Sequence, residues 1–193
     1  TMADEILGTL LDELKRMGVY KDTCIVFTVD HGDHLGQHNM YQKMEMYEEA
    51  VKIPLVVKMP GGKTGRTDTL VSHLKPTLCE MIGAEAGVCD GMSLMPLFRG
   101  ESVPEDRCLY IQYSGNPGYG TIRRAVVSRQ YKYVFDSSYE HELYDLVKDP
   151  SEMYNVAGEE AYQQIKTQMY EACKAYHQEK KDYFDWEGQE EKK

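Results

Sequence analysis

The segment Thr23 to Val29, TCIVFTV, is nearly all apolar or β-branched and shows no alternation of polar and apolar residues. Such a run reads as a short strand buried on both faces. It stops abruptly at Asp30-His31-Gly32-Asp33-His34. Ahead of it, residues 2 to 17 place Ile6, Leu7, Leu10, Leu11, Leu14 and Met17 at helical spacing, and Gly18 ends the run. A helix that feeds a buried strand predicts an α/β sheet. In such sheets ligands gather beyond the carboxyl ends of the strands, which is where the Asp30 cluster falls.

Downstream, Leu35 to Lys52 reads as a polar loop that leads into a short helix. A second buried strand, IPLVVKM (Ile53 to Met59), ends at Pro60-Gly61-Gly62. Leu74 to Ile82 predicts a short helix that starts near Pro76 and stops at Gly83. After about residue 100 the texture changes. RCLYIQYS, TIRRAVVS and YKYVFD (107–114, 121–128, 131–136) alternate only partly and predict an antiparallel meander. A long helix follows from about Glu159 to Lys181, and the tail WEGQEEKK is expected to fray. The chain thus divides into an α/β part, residues 1–100, and a small antiparallel sheet with a C-terminal helix, residues 101–193.

Lys plus Arg is 22 and Asp plus Glu is 32, so the formal net charge is −10. That balance argues against non-specific nucleic-acid binding, which rests on Lys and Arg neutralising phosphates. It leaves room for an anionic substrate at a locally basic site. No apolar run reaches the roughly 20 residues that span a bilayer, and the acidic start, TMADEILGTLLDEL, lacks the basic region of a signal peptide. Cys24, Cys79, Cys89, Cys108 and Cys173 form no C-x-x-C pair. They read as buried free thiols and lean toward the cytoplasm, with periplasmic or secreted locations left open.

The stretch Asp30 to Glu49, DHGDHLGQHNMYQKMEMYEE, carries the chemistry. An adjacent Asp-His pair at a strand end offers one carboxylate oxygen and one imidazole nitrogen to a cation. Gly32 and Gly36 allow close backbone approach. The same residues read equally as a polar loop whose histidines cap strands and bond to backbone.

Residues 23 to 62 resemble the late motif of sulfatases, members of the alkaline-phosphatase-like superfamily. That pattern is a hydrophobic strand, S-D-H-G or S-D-N-G, L-G-x-H, a lysine, Y-E, and a V-P-L strand ending in P-G. HLKPTLCEMIGAEAGVCDGMSLMPLFRGE (73–101) and HELYDLVKDPSEMYNVA (141–157) resemble two further stretches of the family. Val29 stands where the family usually has serine, and Asn39 where it usually has glycine. The early Asp-Asp pair and the C-x-P-x-R or S-x-P-x-R nucleophile motif are not found in these 193 residues; Ser102-Val103-Pro104 runs on into Glu105-Asp106. The resemblance therefore implies the C-terminal part of an alkaline-phosphatase-like α/β sandwich, with the formylglycine nucleophile and the rest of the metal shell supplied by chain outside this sequence.

By the same resemblance, Asp30 and His31 are metal ligands. The family usually holds Ca²⁺, although on ligand chemistry Mn²⁺ fits an Asp-His pair at least as well, and Mg²⁺ is a further alternative. Lys43 is the lysine that contacts the sulfate, and His38 lines the pocket. His34 and Asp33 are expected to be second to these or solvent-exposed, and Tyr47, Glu48 and Glu49 to hold a helix. The implied activity is hydrolysis of sulfate esters on a small molecule or a glycan. Open beside it are a phosphonate or phosphodiester hydrolase of the same superfamily and a non-catalytic folding or assembly module. Two strands alone would leave apolar faces uncovered, to be closed by the remainder of the protein or by a second copy. The fifteen tyrosines invite a carbohydrate-binding reading, but Tyr131, Tyr133 and Tyr144 fit better as core or edge residues of the meander.

Overall fold

The computed structural model describes residues 2–62, 64–69, 73–101, 108–115 and 122–186; of 62 and 64–69 it describes the backbone. In chain order the elements are α1 (Met2–Arg16), β1 (Ile25–Thr28), α2 (Glu48–Val51), β2 (Ile53–Lys58), β3 (Thr64–Thr69), α3 (Leu74–Met81), α4 (Met95–Phe98), β4 (Leu109–Tyr113), β5 (Arg123–Val127), β6 (Tyr131–Asp136), β7 (Glu142–Asp145) and α5 (Gln163–Glu179). They form two compact units. One comprises residues 1–30 and 52–103, the other 31–51 and 104–193. Residues 31–51, contiguous in sequence with the first unit, thus pack with the C-terminal sheet.

The first unit holds a three-stranded antiparallel sheet in the order β1-β2-β3. β2 is central and alternates: Ile53, Leu55 and Val57 are buried, and Leu55 and Val57 meet Leu94 with Leu74, Met81 and Phe98 around them. Lys58 ends the strand inside the unit. Its ammonium donates to the Thr23 carbonyl at 3.0 Å and to that of Tyr20, and lies over the Tyr20 ring. Thr77 accepts from the Leu94 N–H at 2.9 Å and so ties α3 to the segment before α4.

Two expectations are corrected here. β1 is not buried on both faces: Phe27, and Val29 just after the strand, are exposed, and among the described residues β1 pairs with β2 alone. Cys24 is exposed with it, and of the five thiols only Cys173 is buried. The apolar stripe of α1 forms as expected, with acids in its first turn and bases in its last. None of its residues is buried, however, and Met2, Ile6, Leu10 and Met17 stand exposed.

The second unit is built on the expected meander, β4-β5-β6, to which β7 adds a fourth strand, antiparallel throughout. The expected long helix is α5, preceded by a short 3-10 turn at Glu160–Tyr162. On one face of the sheet Val126, Tyr133, Phe135 and Leu143 pack with Met169 and Cys173 of α5 and with Phe184 and Trp186. On the other face Ala125 and Val134 pack with Met46 and Val51 of the 31–51 segment. Both faces are covered, which is why the strands alternate only partly. Tyr133 and Tyr144 are buried and Tyr131 packs against the core, as expected. Trp186 is the exception to the frayed tail: it is buried, stacked on Phe135 at 4.1 Å. Residues 187–193, like Ser102–Val103–Pro104, lie outside the described residues. Among the described residues no helix is long and apolar enough to cross a membrane.

A buried ion pair closes the end of α5 onto the sheet. Arg124 of β5 donates to both oxygens of Asp182, which also accepts from Tyr110 at 3.1 Å and Gln112 at 2.9 Å. Burial alone would raise the Asp182 carboxyl. The bonds and charge of Arg124, with Gln112 and Tyr110, overcome that and hold it down at about 2. The folded value lies below the unfolded one, so this stabilisation is full above about pH 4 and is lost as pH falls toward 2. We predict that Asp182→Asn costs about 3 kcal/mol at neutral pH, because Arg124 is left buried without its carboxylate. Urea unfolding followed by Trp186 fluorescence should show this, and should show less loss of stability between pH 4 and 2 than in the wild type.

Candidate active site

The site is carried by residues 31–51, and the sheet beneath dictates where they run. Two basic residues inside apolar strands hold the segment down. Arg123 of β5 donates to the Met44 carbonyl at 2.9 Å, to Asp136 at 2.5 Å, and pairs with Glu45. Lys132 of β6 is fully buried. Its ammonium donates to the Met46 carbonyl at 2.9 Å and lies 2.7 Å from carboxylate oxygens of both Glu48 and Glu152. Glu152 in turn accepts from the Glu48 backbone N–H at 2.6 Å. Burial pushes the Glu152 carboxyl up, and Lys132 opposes the rise. Residues 44–48 are thus bolted to the sheet at both ends of a five-residue span.

Above that anchor, Gly32 lies flush on α2. Its N–H donates to the Ala50 carbonyl at 2.9 Å, and a Cβ at this position would fall 1.8 Å from the Glu49 carbonyl oxygen. Only glycine fits such an approach. The loop between bonds to itself: Gly36 N–H to the Met40 carbonyl, Met40 N–H to Gln37, His34 N–H to Gln42. It contains left-handed backbone at Leu35, His38, Asn39 and Gln42. Non-glycine residues in that region cost of order 1–3 kcal/mol each when strained and concentrate at functional sites.

The path brings His31 and Lys43 together. His31 Nδ1 lies 2.8 Å from the Gly32 carbonyl, and its Nε2 faces the Lys43 ammonium. A carbonyl only accepts and an ammonium only donates. His31 is therefore the Nδ1–H tautomer, with its Nε2 lone pair turned to Lys43. Asp30, its chain neighbour, is exposed.

His38 stacks on Tyr47 at 3.9 Å and lies 3.6 Å from a Glu49 oxygen. Glu48 and Glu49 occupy the first turn of α2. Tyr47 faces Tyr144, whose hydroxyl donates to Glu142 at 2.9 Å. Burial pushes the Tyr47 and Glu142 groups above their ordinary values. Asp33 is exposed and accepts from the Leu35 N–H at 3.0 Å. Of the two places expected for His34, the solvent-exposed one is excluded. It is 1% exposed, beneath the loop rather than on its surface.

A calcium shell takes six to eight oxygens. Asp30 and His31 offer one carboxylate and one imidazole, and among the described residues no group of three His, Cys, Asp or Glu side chains is placed to hold a metal ion. The residues described do not by themselves fit a calcium centre. Sequence reasoning passed over Arg123, Lys132 and Glu152. The signal was present as charged residues inside RRAVV and YKYVF, at positions the two-sided burial of the strands places indoors.

The family model described as N-sulphoglucosamine sulphohydrolase, C-terminal, matches residues 36–179. An N-acetylglucosamine-6-O-sulfatase of Bacteroides thetaiotaomicron is 30% identical over 93% of this chain and 34% of its own length. A solved structure of a protein in complex with its substrate D-glucosamine-2-N,6-O-disulfate superposes with a TM-score of 0.81 at 28% identity, over 93% of this chain and 39% of that one. The phosphonate monoester hydrolase of Agrobacterium radiobacter superposes at 0.77 with 27% identity, over 90% and 39%. The chain spans about a third of the length of the curated relatives it matches.

We predict that Lys132→Met costs about 3–5 kcal/mol, since it strands two carboxylates in the interior. Lys132→Met combined with Glu152→Met should recover much of that loss. Urea midpoints of the three proteins measure it, and a single-variant cost below about 1 kcal/mol would contradict the bolt.

Proposed function

Because the chain belongs to the family of the C-terminal region of N-sulphoglucosamine sulphohydrolase, we propose that it is the C-terminal portion of a sulfatase, a hydrolase of sulfate esters. The observation that carries this reading is the convergence on His31: the Lys43 ammonium, thirteen residues after Asp30, lies on the imidazole next to it. A fixed cation there favours an anionic group at the loop.

In this reading Lys43 contacts the sulfuryl oxygens and stabilises the charge that builds on them. Its ammonium has no lone pair with which to take a proton or attack; it acts as a point charge. His38, stacked on Tyr47 and beside Glu49, lines the same loop and restricts its shape. Asp30 and His31 would contribute two ligands to a divalent cation, Ca²⁺ first and Mn²⁺ or Mg²⁺ as alternatives, His31 through its Nε2 once Lys43 turns from it to the substrate. The remaining ligands and the nucleophile come from chain beyond these 193 residues. The substrate is a sulfated small molecule or glycan, and the relatives whose names speak of sulfated glucosamine make an amino-sugar sulfate the first compound to try.

A second reading, a phosphonate or phosphodiester hydrolase, is favoured by the likeness to the Agrobacterium radiobacter enzyme. A phosphonate monoester and a sulfate ester both present oxygens that a lysine and a cation can hold. The ratio of kcat/KM for an aryl sulfate to that for an aryl phosphonate separates the two.

In the complete protein, Lys43→Ala is expected to lower kcat/KM for a sulfate ester by about 10²- to 10³-fold, by analogy with lost oxyanion donors. Lys43→Arg should rescue only part, because a planar fork does not replace a compact charge. Near-normal kcat/KM in a folded Lys43→Ala protein would remove the sulfate contact from this account. The 193-residue chain alone is expected to show no aryl-sulfate turnover with added Ca²⁺ or Mn²⁺.

A further inference from the structure

His34 has no part in the chemistry above, yet it is the most deeply buried residue of its loop. Neither ring nitrogen has a hydrogen-bond partner among the described residues. The ring instead packs edge-on against two others: His38 at 6.2 Å and 87°, and Tyr47 at 5.8 Å and 81°. Those two are themselves stacked, so three rings form one block. Tyr47 joins that block to β7 through Tyr144, and residue 46, just before it, is the one Lys132 bolts to the sheet.

The main chain of His34 reaches the other way. Its N–H donates to the Gln42 carbonyl at 2.9 Å, and its carbonyl accepts from the Gln37 N–H at 2.8 Å. Gln42 is the residue before Lys43 and holds a φ of 75°. The buried ring fixes His34, and the peptide of His34 fixes the residue from which Lys43 projects. Leu35 and Tyr41, on the same loop, are largely exposed. A loop with four left-handed non-glycine residues relaxes unless its surroundings over-determine it. The His34 ring supplies that constraint.

We propose that His34 is the positioning residue of Lys43: its buried ring, held by shape against His38 and Tyr47, keeps the Lys43 ammonium on His31 Nε2. What Lys43 then does rests on the sulfatase reading; the contact itself does not.

The test follows the ring nitrogens of His31 by NMR in the 193-residue chain labelled at histidine. Lys43→Ala sets the reference for an Nε2 that has lost its ammonium. His34→Phe keeps the shape and removes the nitrogens, and His34→Gln keeps polarity and loses the ring. His34→Phe should retain the wild-type His31 signals. His34→Gln should move them most of the way to the Lys43→Ala position, and adding His34→Gln to Lys43→Ala should move them no further. The proposal is overturned if His34→Gln keeps the wild-type signals, if His34→Phe in a folded chain loses them, or if Lys43→Ala does not move them at all. A complete protein that turns over normally without Lys43 would sink the sulfate contact and leave these signals as they are.

Discussion

An ammonium in a protein interior is destabilising by several kcal/mol unless acids and acceptors surround it. Lys132 meets that condition with two carboxylates and a main-chain carbonyl, drawn from two stretches far apart in the sequence. Glu48 and Met46 belong to the segment that carries the candidate site, Glu152 to the turn after β7, and Lys132 to the strand between them. None of the three stretches satisfies its charges alone. Folding the meander therefore obliges residues 44–48 to lie across it, and Arg123 repeats the arrangement at Met44 and Glu45. Hydrophobic contact of Met46 with Ala125 and Val134 adds burial without direction. The charges supply the register.

From that anchor the site follows by short steps. Gly32 can lie against α2 because it has no Cβ, so the chain re-enters the unit close to where it will leave it. The loop between must reverse within a few residues and does so with left-handed backbone. His31 and Lys43 are brought face to face across its base. The Lys43 ammonium is thus displayed on an exposed loop whose path is set from beneath.

Much of this was legible in the sequence. Three short β-branched and aromatic segments at close spacing predicted the meander, helical spacing predicted α1, and Pro76 and Gly83 bounded α3. The Asp-His pair stood out at the end of a strand, and Lys43 through the resemblance to the sulfatase motif. What was not legible depends on tertiary neighbours. TCIVFTV reads as doubly buried, but among the described residues β1 pairs with β2 alone, and Phe27 is exposed. Periodicity cannot distinguish an apolar residue that is covered from one that is not. His34 looked like one more polar loop residue, because burial of a single side chain inside a polar stretch leaves no pattern. Lys132 was hidden for the opposite reason, a charge read as the polar side of an alternating strand when both sides are indoors.

The central claim is that residues 31–51 are part of the C-terminal unit and not a surface loop laid upon it. Native-state hydrogen exchange of the Glu48 amide, which donates to Glu152, tests this directly. The account predicts that this amide exchanges only through the opening that releases Val134 and Tyr133 of β6, with the same free energy and the same denaturant dependence. Exchange of the Glu48 amide at the rate of an exposed loop, while the β6 amides remain protected, would contradict it.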